Sequence, residues 1–212
     1  MTVGADLRDA FGDIDIYLFD QLLKGRFDNR RRVLDAGCGD GRNLHYLLQS
    51  GFECFGIDED AGAIAAVRRR AAHLAGALPA GNFVAGRVDA LPWGDGSMNA
   101  VICSAVLHFS EDEAHFGRMM TDMWRVLAPG GLLFARLASN IGLERALGEK
   151  AGRRMRLPDG TDRFVVDEPM LLAWTNRLGA RLLDPIKTTN VQQQRCMTTW
   201  CLAKPGQAGD AT

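Results

Sequence analysis

The chain has 212 residues, enough for one domain that buries its own apolar core without disulfides or metals. A net charge of −1, with 47% apolar and 24% charged residues, argues against a dedicated nucleic-acid binder and against a polybasic membrane-surface protein, both of which need clustered positive charge. Glycine is in excess, 24 residues or about 11% against a usual ~7%, which points to many tight turns or close backbone approaches.

Met1 to Asp13 holds Asp6, Arg8, Asp9 and Asp13 and no apolar stretch, so it does not read as a secretory signal. No run approaches the ~18–20 apolar residues of a membrane span. Ile14, Tyr17, Leu18 and Leu22 at helical spacing predict an N-terminal helix within 13–26, stopped near Gly25. Val33-Leu34-Asp35-Ala36 is a short apolar run that enters a glycine cluster, as a buried strand would. Leu44, Leu47 and Leu48 resume helical spacing until Gly51. Glu53 to Ile57 is a second strand; Ile64, Val67, Ala71 and Leu74 mark a second helix. Asn82 to Ala85 is a weak strand and Asn99 to Ser104 a stronger one.

Ser110-Glu111-Asp112-Glu113 fits a capping box with Ser110 as N-cap and Glu113 reaching back. The helix it opens carries the stripe Phe116, Met119, Met120, Met123, Val126 and Leu127, and Pro129-Gly130-Gly131 stops it. Leu132 to Leu137 is a strand. Residues 140–166 are irregular and glycine-rich, and between 144 and 168 six basic side chains meet six acidic ones. A flexible solvated loop is the base expectation there, and a lid over an anionic substrate the sharper one. Met170, Leu171, Trp174 and Leu178 give another helix. Arg181–Ile186 and Cys196–Ala203 follow with no helix between them, hence an antiparallel pair. Pro205–Thr212 is an expected disordered tail. This alternation predicts a single α/β domain over residues 1–204, with a doubly wound, mostly parallel sheet, helices on both faces and ligands at the carboxyl ends of its strands.

The segment Val33 to Asn43 is the most informative. A buried strand runs into Gly37, Gly39 and Gly41 and then a helix, which suits a ligand lying against bare backbone. Asp58 stands at the end of the second strand, about 20 residues beyond the loop, where a carboxylate can accept from both hydroxyls of a ribose. The dinucleotide fingerprint wants a third glycine where this chain has Arg42, so a nicotinamide cofactor is disfavoured. Asp35 and Asp40 would repel a pyrophosphate and suit a cationic amino-acid moiety.

These residues resemble the class I S-adenosylmethionine (SAM)-dependent methyltransferases. Leu34 to Gly41 looks like their first motif and Asp58 like their ribose-binding acid. Asp89-Ala90-Leu91-Pro92-Trp93 resembles the segment that sets an acid beside the adenine amino group. Met98 to Phe109 resembles their fourth-strand motif, and Arg125 to Gly131 the approach to the fifth strand. The resemblance spans roughly residues 30 to 204 and is nearest to small-molecule enzymes, the tellurite- and thiopurine-methylating relatives among them. It implies a seven-stranded sheet with the last strand antiparallel. It also implies that Asp35, Gly37, Cys38, Gly39, Gly41, Asn43, Asp58, Glu59, Asp89, Ala90, Leu91 and Ser104 contact SAM or its product S-adenosylhomocysteine.

After the fourth strand the chain reads Ser104-Ala105-Val106-Leu107, without the Asn/Asp-Pro-Pro-aromatic motif of nucleic-acid and protein amide methylation. A Pro-Cys nucleophile is absent too, although Cys103 lies nearby. A small-molecule acceptor is therefore expected, and nucleic acid is not. His108, just past the fourth strand, is the candidate general base, weighed evenly against an ordinary polar residue at a loop–helix junction. Cys38 and Cys103 read as small buried hydrophobes. Five cysteines (Cys38, Cys54, Cys103, Cys196, Cys201) without C-x-x-C spacing predict no metal site and a reduced, cytoplasmic setting. The rival readings are a nicotinamide oxidoreductase, a non-catalytic SAM-binding module and a nucleic-acid methyltransferase.

Overall fold

The computed structural model describes residues 3–76, 78–147 and 152–206. Five parallel strands form its centre: β1 (Arg32–Ala36), β2 (Glu53–Asp58), β3 (Phe83–Ala85), β4 (Met98–Ser104) and β5 (Leu127–Ser139). Their order across the sheet is β3-β2-β1-β4-β5, so the winding reverses between β1 and β4. Asp35 of β1 sits opposite Gly56 of β2 on one side and Ile102 of β4 on the other. A crevice outside the carboxyl ends of β1 and β4 follows from that reversal.

Residues 140–166 are more regular than expected. They form a short helix and a separate hairpin, β6 (Arg154–Arg156) paired with β7 (Asp162–Phe164). Leu143, Leu147, Leu157 and Val165 close a small apolar cluster of their own against Cys196. Residues 148–151, with Glu149 and Lys150 of the charged side chains counted between 144 and 168, lie outside the described residues, as do 207–212 of the expected tail.

Past this insertion the sheet turns antiparallel. It continues through β8 (Arg181–Leu182), β9 (Lys187–Val191) and β10 (Arg195–Ala203). β10 runs along β5, Cys196 opposite Ser139 and Ala203 opposite Leu132, and carries β8 and β9 on its outer edge. The sheet thus has eight strands where seven were expected. The strand read as Arg181–Ile186 is shortened to β8, and β9 starts only beyond it at Lys187; Pro185, between them, has no N–H with which to continue a ladder.

Seven α-helices occur among the described residues: α1 (Val3–Phe11), α2 (Ile16–Leu23), α3 (His45–Gln49), α4 (Ala61–Ala75), α5 (Glu113–Val126), α6 (Glu144–Leu147) and α7 (Glu168–Arg177). Side chains alternate across the strands, so Leu34 and Val33 enter opposite layers. Leu34, Val101 and Leu133 pack against Phe116 and Met120 of α5 and Trp174 of α7. Val33, Ala100 and Phe134 pack against Leu18 of α2, Leu47 of α3 and Val67 of α4. None of these helices is long and apolar enough to cross a membrane.

Two helix starts differ from the sequence reading. The helix expected within 13–26 is α2, which begins at Ile16 because the Asp15 carboxylate caps it by accepting from the Tyr17 N–H. For α5 the cap is Asp112, which accepts from His115 N–H at 2.7 Å. Ser110 is spent elsewhere: its hydroxyl donates to the Leu107 carbonyl and closes a single 3₁₀ turn, Leu107–Phe109. Glu113 pairs with Arg153 at 2.8 Å instead of reaching back.

Candidate active site

The glycine loop leaves β1 with three left-handed residues, Gly37 (φ 80°), Gly39 (φ 53°) and Gly41 (φ 83°). The N–H groups of Gly37 and Cys38 both donate to the Ile57 carbonyl, tying the loop to the end of β2. The three glycines have different jobs. A Cβ at 37 would overlap Val106, and one at 41 would lie 2.5 Å from a Val67 methyl, so both are needed for packing. A Cβ at 39 would meet nothing within 4 Å. Its open side faces a cavity of about 380 Å³ above the carboxyl ends of the parallel strands.

Of the expected cofactor residues, Gly37, Gly39, Asp58, Glu59 and Ser104 line this cavity. Asp58 is held in place by backbone: Oδ2 accepts from Gly39 N–H at 2.9 Å and Oδ1 from Asp60 N–H at 3.0 Å. Each oxygen retains a second lone pair for a ligand. Gly41, Cys38 and Asn43 stand behind the lining. The Cys38 thiol is buried, and burial together with Asp35 and Asp58 pushes its pKa up, so it is no nucleophile. The Asn43 side-chain oxygen accepts from Asp15 N–H at 3.1 Å and fastens the start of α2 to the loop. Asp35 is buried on β1, and neither carboxylate oxygen has a partner among the described residues. Burial lifts its pKa to about 8, opposed by Arg42.

Asp89, Ala90 and Leu91 are not in the cavity lining; Arg87 and Val88 take their place. The Asp89 carboxylate is held instead by Arg87 and by side chains of α5. Asp89 lies 2.9 Å from Arg87 Nε, 3.3 Å from Arg118 Nε and 3.6 Å from His115 Nε2. The hydrogen bond from Arg87 holds its pKa below the usual carboxylate range. The Leu91 N–H bonds Asp122.

His108 lies in the 3₁₀ turn after β4 and is 5% exposed, while its neighbour Phe109 reaches the cavity. Its Nδ1 is buried without a partner among the described residues. Burial, then the charges of Arg163 and Arg136, lower its pKa to about 4, so the imidazole is neutral at neutral pH.

Sequence reasoning missed a buried polar cluster beside Ser104. Asp15, 4% exposed, accepts from Ser104 Oγ at 3.0 Å and from Arg136 Nη1 at 2.9 Å. The Arg136 guanidinium sits 5.0 Å over the ring of Tyr17, whose hydroxyl bonds Thr189. Two signals were available: Asp15 directly precedes a helical run, and Arg136 is a lone charge inside an apolar strand.

The cavity suits an adenosyl sulfonium. Gly39 leaves room where any side chain would intrude, two carboxylates close the β2 end, and the volume falls within the range of small-ligand sites. Among the described residues no group of histidine, cysteine and acidic side chains could hold a metal ion.

Residues 33–131 match the family described as "Methyltransferase domain". An uncharacterised methyltransferase of Mycobacterium tuberculosis is 27% identical over 194 residues, covering 86% of this chain and 70% of that one. A crystal structure of a Pyrococcus horikoshii protein superposes with TM-score 0.70 at 17% identity, covering 89% of both chains. The Burkholderia thailandensis 1,6-didemethyltoxoflavin-N1-methyltransferase, solved with its substrate and S-adenosylhomocysteine, superposes with TM-score 0.66 at 18% identity, over 95% of this chain and 82% of that one. The family match begins on β1, takes in the glycine loop and Asp58, and ends where β5 enters the sheet, so these residues form the methyltransferase domain of a SAM-dependent enzyme.

Proposed function

We propose that this methyltransferase acts on a small-molecule acceptor by direct in-line displacement, with His108 available as a general base. Bound SAM supplies a methyl group already activated by a sulfonium. The chain's own contribution is then alignment and exclusion of water. Asp58 would accept from the ribose hydroxyls, the Gly39 side of the loop would admit the methionine part, and Glu59 would add negative charge beside it. Arg87 and Val88, rather than Asp89, stand nearest to an adenine seat.

The observation that carries the reading is the shape of the cavity. It has a volume of about 380 Å³, and one wall is the Ser104–Phe109 segment, with the buried Asp15–Ser104–Arg136 cluster beside it. Such a site takes a compact acceptor. The toxoflavin-precursor substrate of the Burkholderia neighbour agrees with this in scale. The hairpin β6–β7 stands at the same mouth. Arg154 Nη1 donates to the Ser110 carbonyl at 3.0 Å, and Arg163 lies 4.9 Å over the Phe109 ring. Residues 140–166 would therefore cover the acceptor as a lid. The five cysteines are free and buried, which suits the reduced, cytoplasmic setting expected from the sequence.

The test is methyl-labelled SAM added to a metabolite extract with the enzyme, followed by mass identification of the labelled product. A labelled small molecule is expected. Label confined to RNA, DNA or protein would overturn the reading, and SAM binding without turnover on any acceptor would favour a regulatory module.

A further inference from the structure

Three polar groups on three different elements converge beside the Ser104–Phe109 wall with unmet demands. On β5, Arg136 commits Nη1 to Asp15, while its Nε is buried without a partner. In the 3₁₀ turn, His108 Nδ1 is likewise buried, and neither atom has a partner among the described residues. On β7, Arg163 lies across the exposed ring of Phe109, and Nη1 donates to the carbonyl of Asp162. Arg163 has no salt bridge among the described residues. The acid nearest in influence, Asp159, is taken by Thr161 and Arg195. Arg154 adds a further cation bonded to backbone carbonyls. Among the described residues, Asp15 is the carboxylate that pairs directly with one of these groups, Arg136.

Charge is thus divided about Phe109. Asp58, Glu59 and Glu111 line the cavity that would hold the cationic donor, where the one lining guanidinium, Arg87, is paired with Glu59 and Asp89, and further guanidinium groups gather beyond Phe109, outside that lining. We propose that the methyl acceptor carries an anionic group, which docks between Arg136 and Arg163 beside His108 and serves as an anchor rather than as the methylated atom. This rests on the small-molecule reading above. A guanidinium presents a planar fork of N–H donors that matches the oxygens of a carboxylate or phosphate. The exposed Phe109 ring offers a flat apolar face for the body of the acceptor. The His108 ring lies 4.6 Å from the Phe109 ring over which Arg163 sits, and the Arg136 carbonyl accepts from Ala105 N–H at 2.7 Å, so all three groups border the same short segment.

The experiment is calorimetric titration of the enzyme saturated with S-adenosylhomocysteine, using benzoate, phenyl phosphate, benzamide and benzylammonium as probes. Benzoate or phenyl phosphate should bind at least tenfold more tightly than benzamide, and benzylammonium most weakly; the order of the two anions tells carboxylate from phosphate. Arg163→Gln should remove the anion preference at least tenfold without changing S-adenosylhomocysteine affinity, and Arg163→Lys should retain part of it. Equal binding of benzoate and benzamide, no binding of either anion, or an unchanged preference in Arg163→Gln overturns the inference. The wild-type comparison stands even if that variant misfolds. Loss of S-adenosylhomocysteine binding in the wild type would instead strike the methyltransferase reading. Labelled products that are all neutral or cationic would spare that reading and overturn the anionic anchor.

Discussion

Asp58 and Glu59 leave β2 together, yet only Asp58 is held by backbone on both carboxylate oxygens. Glu59 is largely exposed and 3.5 Å from Arg87. The fixed carboxylate is the better hydrogen-bond partner for a ribose, because it loses little freedom on binding. Hydrogen bonds to a charged group contribute ~1.5–3 kcal/mol, so Asp58→Ala should weaken SAM and S-adenosylhomocysteine alike by roughly one to two decades. Asp58→Asn should keep part of the affinity. Calorimetry on the three proteins checks this, and equal affinities for wild type and alanine variant would remove Asp58 from the cofactor site. His108 tests the chemical step. Its →Ala variant should lower kcat with little change in SAM affinity, and the wild-type acid limb should fall at about 4 rather than near an ordinary histidine value. Full activity in the variant would leave alignment as the whole of catalysis. The glycines and Asp58 were legible because their spacing is local. The Ser104–Asp15 and Asp15–Arg136 contacts join residues 89 and 121 positions apart, and no periodicity reports such a meeting.

At the scale of elements, β1, β2, β4 and α4 were readable because apolar spacing and burial agree in them. The helix α1 was missed for the opposite reason: it buries no residue, and Val3 and Leu7 are exposed. Without a buried face there is no stripe to find. The hairpin β6–β7 was hidden likewise, since each strand is three residues long and period-2 alternation needs more. Its stability rests on a satellite cluster, not on the two main layers. Leu157→Ala should therefore loosen the hairpin locally, costing toward the low end of ~2–5 kcal/mol for a buried leucine. Hydrogen exchange within 153–165 should quicken while β1 and β4 stay protected. Uniform acceleration across the sheet would show that the hairpin is one cooperative unit with the core. Exchange that also slows in the same segment on acceptor binding would support its role as a lid.

At the scale of the molecule, the reversed strand order brings the ends of β1, β2 and β4 to one rim and buries two ionisable groups there, with opposite consequences for pH. Asp35 has its pKa raised to about 8, so the folded state keeps a proton that the unfolded chain loses near the ordinary value of 3.8. The stability this contributes is complete below that value and is lost as pH rises toward 8. His108 has its pKa lowered to about 4 from 6.5. Its contribution is complete above 6.5 and is lost as pH falls toward 4. Between about 4 and 6.5 the two slopes have opposite sign and largely cancel. Above 6.5 Asp35 acts alone, because the lowered carboxylates Asp89, Asp159 and Asp184 titrate below the ordinary range. The ligand-free protein should therefore be nearly flat in Tm from pH 5 to 6.5 and then lose stability toward pH 8, at up to roughly 1.4 kcal/mol per pH unit. Asp35→Asn should abolish the decline between 6.5 and 8, since the amide cannot ionise, and His108→Ala should leave that decline in place while tilting the acid side. The measurement is Tm by calorimetry at half-unit steps of pH for the three proteins. A wild type that is flat from 6.5 to 8 would mean that the Asp35 carboxylate is ionised in the fold, and that a cation or donor reaches its two unpartnered oxygens.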